Sequence, residues 1–426
     1  MGLRTIPLVL LAAALPMADC DGSPGARDAE TDVAPDVADA SGDAPPDEAE
    51  ADEAGEEAPD GAPTPCARAG EARVTTVGFL STGRYAPAAV RLRDGRVLVA
   101  GGYDFAAGIR RSAELFDPAA GTLTPTGDLR QARNFPAALP APDGTALLFG
   151  GFHPSFGSDA KVEIYDPAAG TFRFAGNSMS VGREAHTATW LDDGRVLIAG
   201  GLQAIGMTFH ASAELYDPAT ESFAPTAAPL NTARAFHAAA RLSSGEVLLV
   251  GGDSGRGELA TAERYVPADG WFWNTSGGLA HPAKAPAAAP LPDGRVLVAG
   301  GANALDGTLA DAAVYDPATD RFVPTAPMAV RRMAHTLTPL EDGRVLAVGG
   351  WSDSSSPSAS TGALEVYDPA AGTWTLLPVR LARPRHDHVA VRLPDCRVVV
   401  VGGQQVDGSG VPVAPVEVEV IVVPGG

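Results

Sequence analysis

Lysine is nearly missing from this 426-residue chain: Lys161 and Lys284 are the only two, so almost all of the positive charge is arginine. Basic residues number 31 against 52 acidic ones, a net charge of -21. Nucleic acid is excluded as a partner, because a polyanion would be repelled over most of such a surface. No apolar run is long enough to span a bilayer, the longest candidate being Ile6 to Leu15. There is also no phosphate loop, nucleophile elbow or zinc-protease motif, which removes the enzyme classes those motifs define. What the chain has in quantity is Gly 49 and Pro 37, a turn-rich balance that argues against helical bundles and for many short elements.

The charge is concentrated near the N-terminus. Residues 21–65 hold fifteen Asp or Glu against Arg27 alone, so this segment carries -14 of the total. With Val33 and Val37 as its only larger apolar side chains, it cannot bury enough surface to offset chain entropy and reads as a disordered, self-repelling spacer. Ahead of it, Arg4, the apolar run and Pro16-Met17-Ala18-Asp19-Cys20 have the layout of an export signal over residues 1–20. Cys20 followed by a flexible spacer resembles a bacterial lipoprotein signal, although Asp19 stands where a small residue is usual. Cleavage after Ala18 by the ordinary signal peptidase is the alternative. Either way the protein is expected to leave the cytoplasm, as a lipoprotein of the cell envelope anchored at Cys20 in the outer membrane or periplasm, or as a secreted protein.

Residues 66–426 repeat. A double glycine follows an apolar run at Gly101, Gly150, Gly200, Gly251, Gly300, Gly349 and Gly402, a period of about 50 residues that signals a repeat architecture. Runs such as Val196 to Ala199 fit strands buried on both faces. Asp-Gly pairs precede most of them, as at Asp94-Gly95 and Asp193-Gly194, and mark hairpins. Beyond the first six glycine pairs comes a strand ending in an aromatic and Asp-Pro, as in Tyr165-Asp166-Pro167, with Tyr265-Val266-Pro267 the one eroded copy, and seven residues after that aromatic another bulky apolar residue. Four strands per repeat make one blade.

These residues resemble the kelch repeat, whose signature is an apolar strand ending in Gly-Gly followed by a spaced Tyr and Trp. The resemblance implies an all-β, seven-bladed kelch-type β-propeller. The seventh repeat ends after Val416 to Val423 and lacks its outer strand, while Arg73 to Phe79 is spare at the N-terminus. That strand is expected to complete blade 7 and close the ring, removing an exposed edge. Cys396 occupies the turn position that is Gly in the other six repeats. Cys66 stands about six residues before the closing strand, a reach of roughly 20 Å in extended chain. A Cys66–Cys396 disulfide across the closure is therefore expected.

Two sets of residues could carry function. Eleven residues before the turn stand Arg84, Arg133, Arg183, Arg234, Arg332 and Arg385, with Ala283 in blade 5; three residues further on stand His186, His237, His335 and His388. One reading makes them a cationic funnel for an acidic sugar, carboxylate or acidic peptide. The other makes them part of the repeat, bonding loop carbonyls in the same way in each blade. The second set is the loops after the glycine pairs, which differ between blades and carry Tyr103, Phe105, Arg110, Phe152, His153, Phe209, His210 and Trp351. Variable aromatic and Arg loops on a rigid scaffold suit a contact surface. His386 and His388 could face one metal with His335, but no carboxylate or Cys ligand is fixed nearby by spacing, so no metal or other cofactor is expected.

Galactose oxidase carries copper on a kelch propeller through Tyr and His ligands, one Tyr being cross-linked to Cys; this chain has no Tyr-His pair. Some kelch proteins of bacterial envelopes are sialic acid epimerases, and the Arg residues would suit that substrate. The expectation is a non-catalytic binding or scaffold module, a monomer whose loops hold a protein or glycan partner, with no catalytic residues. A carbohydrate-active enzyme such as a sialic acid epimerase is the alternative.

Overall fold

The computed structural model describes residues 70–352, 359–406 and 410–425. The signal, the acidic spacer, Cys20 and Cys66 lie outside them. Each repeat folds into four antiparallel strands, in blade 1 Ala88–Arg91, Val97–Ala100, Ala113–Asp117 and Thr122–Thr126. The first lies innermost. In blade 7 the innermost strand is His386–Arg392, followed by Val398–Val406 and Glu417–Val422, and the N-terminal strand Arg73–Phe79 pairs antiparallel with Glu417–Val422 as the fourth. The innermost strands follow one another around the circle, with Ala88–Arg91 packed between those of blades 2 and 7. The expected seven-bladed propeller, closed by the N-terminal strand, is the observed fold.

The local causes are the ones the repeat advertises. The second strand of each blade is buried along its length, where each Val or Leu contributes roughly 1.5–3 kcal/mol of burial. The innermost strands are rich in Ala, as in Ala238–Arg241 and Ala287–Pro290, because the blades taper toward the axis and leave room for little else. Further out, the repeat tyrosines tilt against the bulky residue of the fourth strand at about 5 Å, as Tyr165 does on Phe172 and Tyr367 on Trp374.

The glycine pairs are the joints between blades. A Cβ on Gly200 would stand 2.4 Å from the Arg234 carbonyl of the next blade. Without it, the amide of Gly201 donates to that carbonyl at 2.8 Å. The same bond recurs from Gly102 to Arg133 and so on around the ring, and Gly403 to Arg84 completes the circle. At the inner hairpin turns the glycines have positive φ, and Cys396 takes their place with φ 67°. The Cys66 half of the expected disulfide is outside the described residues.

Candidate active site at the propeller axis

The arginines do not form a funnel. All six guanidiniums are fully buried and turned back into their own blades. In blade 4, Arg234 donates from Nη1 to the carbonyls of Gly251 and Thr261 and from Nη2 to Glu263 Oε1 at 2.7 Å. Glu114, Glu163, Glu214, Glu365 and Glu419 receive the other five arginines in the same way. Each glutamate also accepts amides of the loop ahead of its arginine, as Glu263 does from Asn231 and Thr232. Each unit is a buried, hydrogen-bonded ion pair that ties the loop to the third strand.

The histidines are equally internal. His186, His237, His335 and His388 each lay Cε1 against the first glycine of the preceding blade, at 2.7–2.9 Å from where a Cβ would stand. Pro286 and Pro87 fill the same space over Gly251 and Gly402, so the ring serves as a filler that His and Pro share. Burial holds the His237 imidazole down to about 3, with the Arg234 charge adding to the effect. Burial likewise keeps His186, His335 and His388 well below the ordinary range. All four are neutral at physiological pH and add no charge to the axis.

Between the arginine and the His or Pro position lie two residues that do face the axis. The second of them has positive φ in every blade: Ala86, Phe135, Ala185, Phe236, Ala285, Ala334 and Asp387, at 48–55°. Each costs an L-residue on the order of 1–2 kcal/mol. Their amides run around the axis, Phe135 donating to Ala86, Phe236 to Ala185, Ala285 to Phe236, Ala334 to Ala285, Asp387 to Ala334 and Ala86 to Asp387. The first of the two differs in every blade: Tyr85, Asn134, Glu184, Ala235, Lys284, Met333 and His386. Its backbone bridges the loop after its own glycine pair, Tyr85 to Tyr103, Asn134 to Phe152 and Met333 to Trp351.

The axial mouth therefore has two halves. Blades 4 to 6 contribute a mainly apolar side in which Ala235, Phe236, Ala285 and Ala334 pack with Met333 and Phe209, crossed by Lys284, whose Nζ lies 4.5 Å over the Phe236 ring and 3.5 Å from Asp253. Blades 7, 1, 2 and 3 contribute a polar side of buried groups. The Glu184 carboxyl has the Ser158 hydroxyl as its hydrogen-bonding neighbour and the Asp387 carboxyl has the Tyr85 phenol, while Asn134 Oδ1 and His386 Nε2 have no hydrogen-bond partner among the described residues. Burial raises Glu184 to about 8 and lifts Asp387 well above the ordinary carboxylate range. Burial also raises the Tyr85 phenol, reinforced by the charges of Asp387 and Glu184. His386 is lowered to about 3 by burial; its Nδ1 meets Ser360 Oγ at 2.8 Å and its Nε2 stands 3.7 Å from Asp387 Oδ2. Trp351 packs on its ring with centroids 4.8 Å apart.

Of the loop residues, Tyr103 and Phe105 pack edge to face at 5.1 Å, Phe105 lies 6.0 Å from the Tyr85 ring, and Phe209 and Trp351 join the axial set. Phe152 and His153 sit on a short hairpin where His153 stacks on Phe156. His210 and Arg110 are half-buried at the loop bases, where their amides donate to Gly201 and Gly102. Sequence reasoning missed Tyr85, Asn134 and Glu184. Their signal was present as the one variable position between two repeated ones. His386 and Asp387 do not alternate across a regular strand, because Asp387 has φ 50°. Among the described residues no group of three or more His, Cys, Asp or Glu is placed to hold a metal ion.

No family model matches the chain, and no curated protein matches it. Among solved structures it is similar to a fungal alcohol oxidase of the AA5 family in complex with copper, with a TM-score of 0.66 over 83% of this chain and 76% of that one at 16% identity. At that identity the likeness establishes the fold. The expectation of a non-catalytic binding or scaffold module is corrected by this comparison, since the similar propeller is that of an enzyme. The binding or scaffold reading is therefore set aside.

Proposed function

We propose that the chain is a carbohydrate-active enzyme of the kelch kind that moves protons to and from a sugar at the axial mouth. Glu184 carries the reading. A carboxyl raised to about 8 by burial is protonated at neutral pH and can donate to a sugar oxygen, the pattern by which buried carboxyls become general acids. The neutral His386 imidazole, whose Nε2 has no hydrogen-bond partner among the described residues and stands 3.7 Å from the Asp387 carboxyl, is the acceptor. Tyr85, facing both carboxyls, orients the hydroxyl between them. The apolar half of the mouth suits the carbon face of a pyranose.

The reaction that fits one acid and one base without an oxidant is opening of a cyclic hemiacetal. His386 takes the anomeric hydroxyl proton, Glu184 protonates the ring oxygen as its C–O bond breaks, and reclosure on the other face gives the other anomer. Sialic acid is the first substrate to test, since kelch proteins of bacterial envelopes include epimerases acting on it. Among the described residues no group of three or more His, Cys, Asp or Glu is placed to hold a copper ion like that of the similar oxidase, so no oxidation step is derived. Cys20 as the lipid anchor, residues 21–65 as the spacer and the cell envelope as the address belong to the same proposal. The test is proton NMR of freshly dissolved sialic acid: anomer exchange is expected to accelerate with the full chain and to fall back to the buffer rate with Glu184→Gln. A buffer rate with the wild-type protein overturns the proposal.

A further inference from the structure

Blade 5 lacks both halves of the buried ion pair. Ala283 stands at the arginine position and Ala313 at the glutamate position. Loss of one partner would strand a charge in the interior, whereas joint loss does not, so the fold survives. The space, however, has not been refilled. A cavity of about 430 Å³ opens there, lined by the two alanines with Ala280, His281, Gly300 and Asp311.

The polar frame of the missing pair is still in place. In the other blades the arginine Nη1 donates to the first glycine carbonyl and to the carbonyl two residues before the glutamate, as Arg183 does to Gly200 and Ser212. The equivalents in blade 5 are the carbonyls of Gly300 and Asp311. In the other blades the glutamate accepts amides of the loop three and two residues before the arginine, as Glu365 does from Ala329 and Val330. The equivalents here are Ala280 and His281, and among the described residues no carboxylate takes these amides. The walls, Leu279, Leu309 and Phe322, are apolar. At the mouth His281 and Asp311 pair with each other and are about half exposed.

We propose that this cavity is a binding site for a small ligand bearing both a guanidinium and a carboxylate on an aliphatic stem, an ω-guanidino acid, which takes the place of the absent arginine and glutamate side chains. The guanidinium reaches the Gly300 and Asp311 carbonyls, the carboxylate reaches the Ala280 and His281 amides, and the stem lies along the apolar walls. The site is separate from the axial cluster, so the inference stands or falls independently of the proposed enzyme activity.

The experiment is calorimetric titration of the full chain with 4-guanidinobutyrate, beside butyrate and agmatine. Saturable binding at one site per chain is expected, weakened about tenfold or more when either charged end is missing. The Ala283→Arg/Ala313→Glu variant rebuilds the pair and should abolish binding with Tm unchanged or raised. Since that variant could fail to fold, amide NMR of the wild-type protein supplies a second readout: the Ala280 and His281 resonances should shift on titration. No saturable heat at millimolar ligand, equal binding of butyrate and agmatine, or shifts confined to other residues would each overturn the proposal.

Discussion

Removing one half of a buried pair should cost far more than its share of the pair. Arg234 and Glu263 are both fully buried, 2.7 Å apart, and each is otherwise bonded only to backbone and polar loop groups. Arg234→Ala leaves Glu263 charged in the interior, and Glu263→Ala leaves Arg234 so. Each single change is expected to cost about 3–5 kcal/mol. In the double variant no stranded charge remains, and the cost reduces to lost packing and lost hydrogen bonds, the state that blade 5 occupies with Ala283 and Ala313. The coupling between the two sites should therefore be about 2–3 kcal/mol, at the upper end for residues in one network. Urea unfolding of the four proteins at pH 7, with m constant across the set, measures it. Single costs that add to within about 0.5 kcal/mol in the double variant would refute the reasoning.

Other consequences can be checked on the same protein. Glu184 is raised by burial in the folded state, so between its unfolded value near 4.5 and about 8 the unfolded chain has released a proton that the folded one retains. Stability from this group falls as pH rises through that window. Glu184→Gln should therefore gain stability over wild type with increasing pH, and thermal melts at pH 5 and 8 that show no such divergence would count against the burial argument. The histidines act oppositely: His237 and His386, lowered to about 3, remove stability as pH falls from about 6.5 toward 3, so the acid limb of a melting series should shift when His237 is replaced by Pro, its counterpart in blades 1, 2 and 5. Gly200→Ala puts a Cβ 2.4 Å from the Arg234 carbonyl at φ 64°, whereas Gly206, also at positive φ, has no close backbone neighbour. The first change should lower Tm by several times the second; equal shifts would show that strain alone, without the blade joint, sets the cost. Non-reducing peptide mapping should recover Cys66 joined to Cys396, and two free thiols would remove the proposed bridge, whose loop closure is worth on the order of 6 kcal/mol.

Much of the fold was legible because its causes are local or periodic. The glycine pairs announce themselves by period and mark the blade joints, and the unmatched strands Arg73–Phe79 and Glu417–Val422 announce the closure. The site was less legible. The arginines attract notice as a ring of charge, yet which way a side chain turns is decided by its partner, and here the partner is a glutamate about thirty residues downstream on the third strand. Comparing the repeats with one another would have exposed it, since the only repeat without the arginine is the only one without the glutamate. Glu184 and Tyr85 look ordinary in sequence. Their character comes from burial beside other blades' side chains at the axis, and that arrangement exists only once the ring has closed.

The pH dependence of catalysed sialic acid anomer exchange tests the account most directly. With Glu184 as the acid, the rate should hold through neutrality and fall as pH passes about 8, and Glu184→Gln should remove the catalysed rate at every pH while leaving the folded ring intact by circular dichroism. A wild-type rate equal to that of buffer, or a Glu184→Gln protein that retains the wild-type profile, would contradict it.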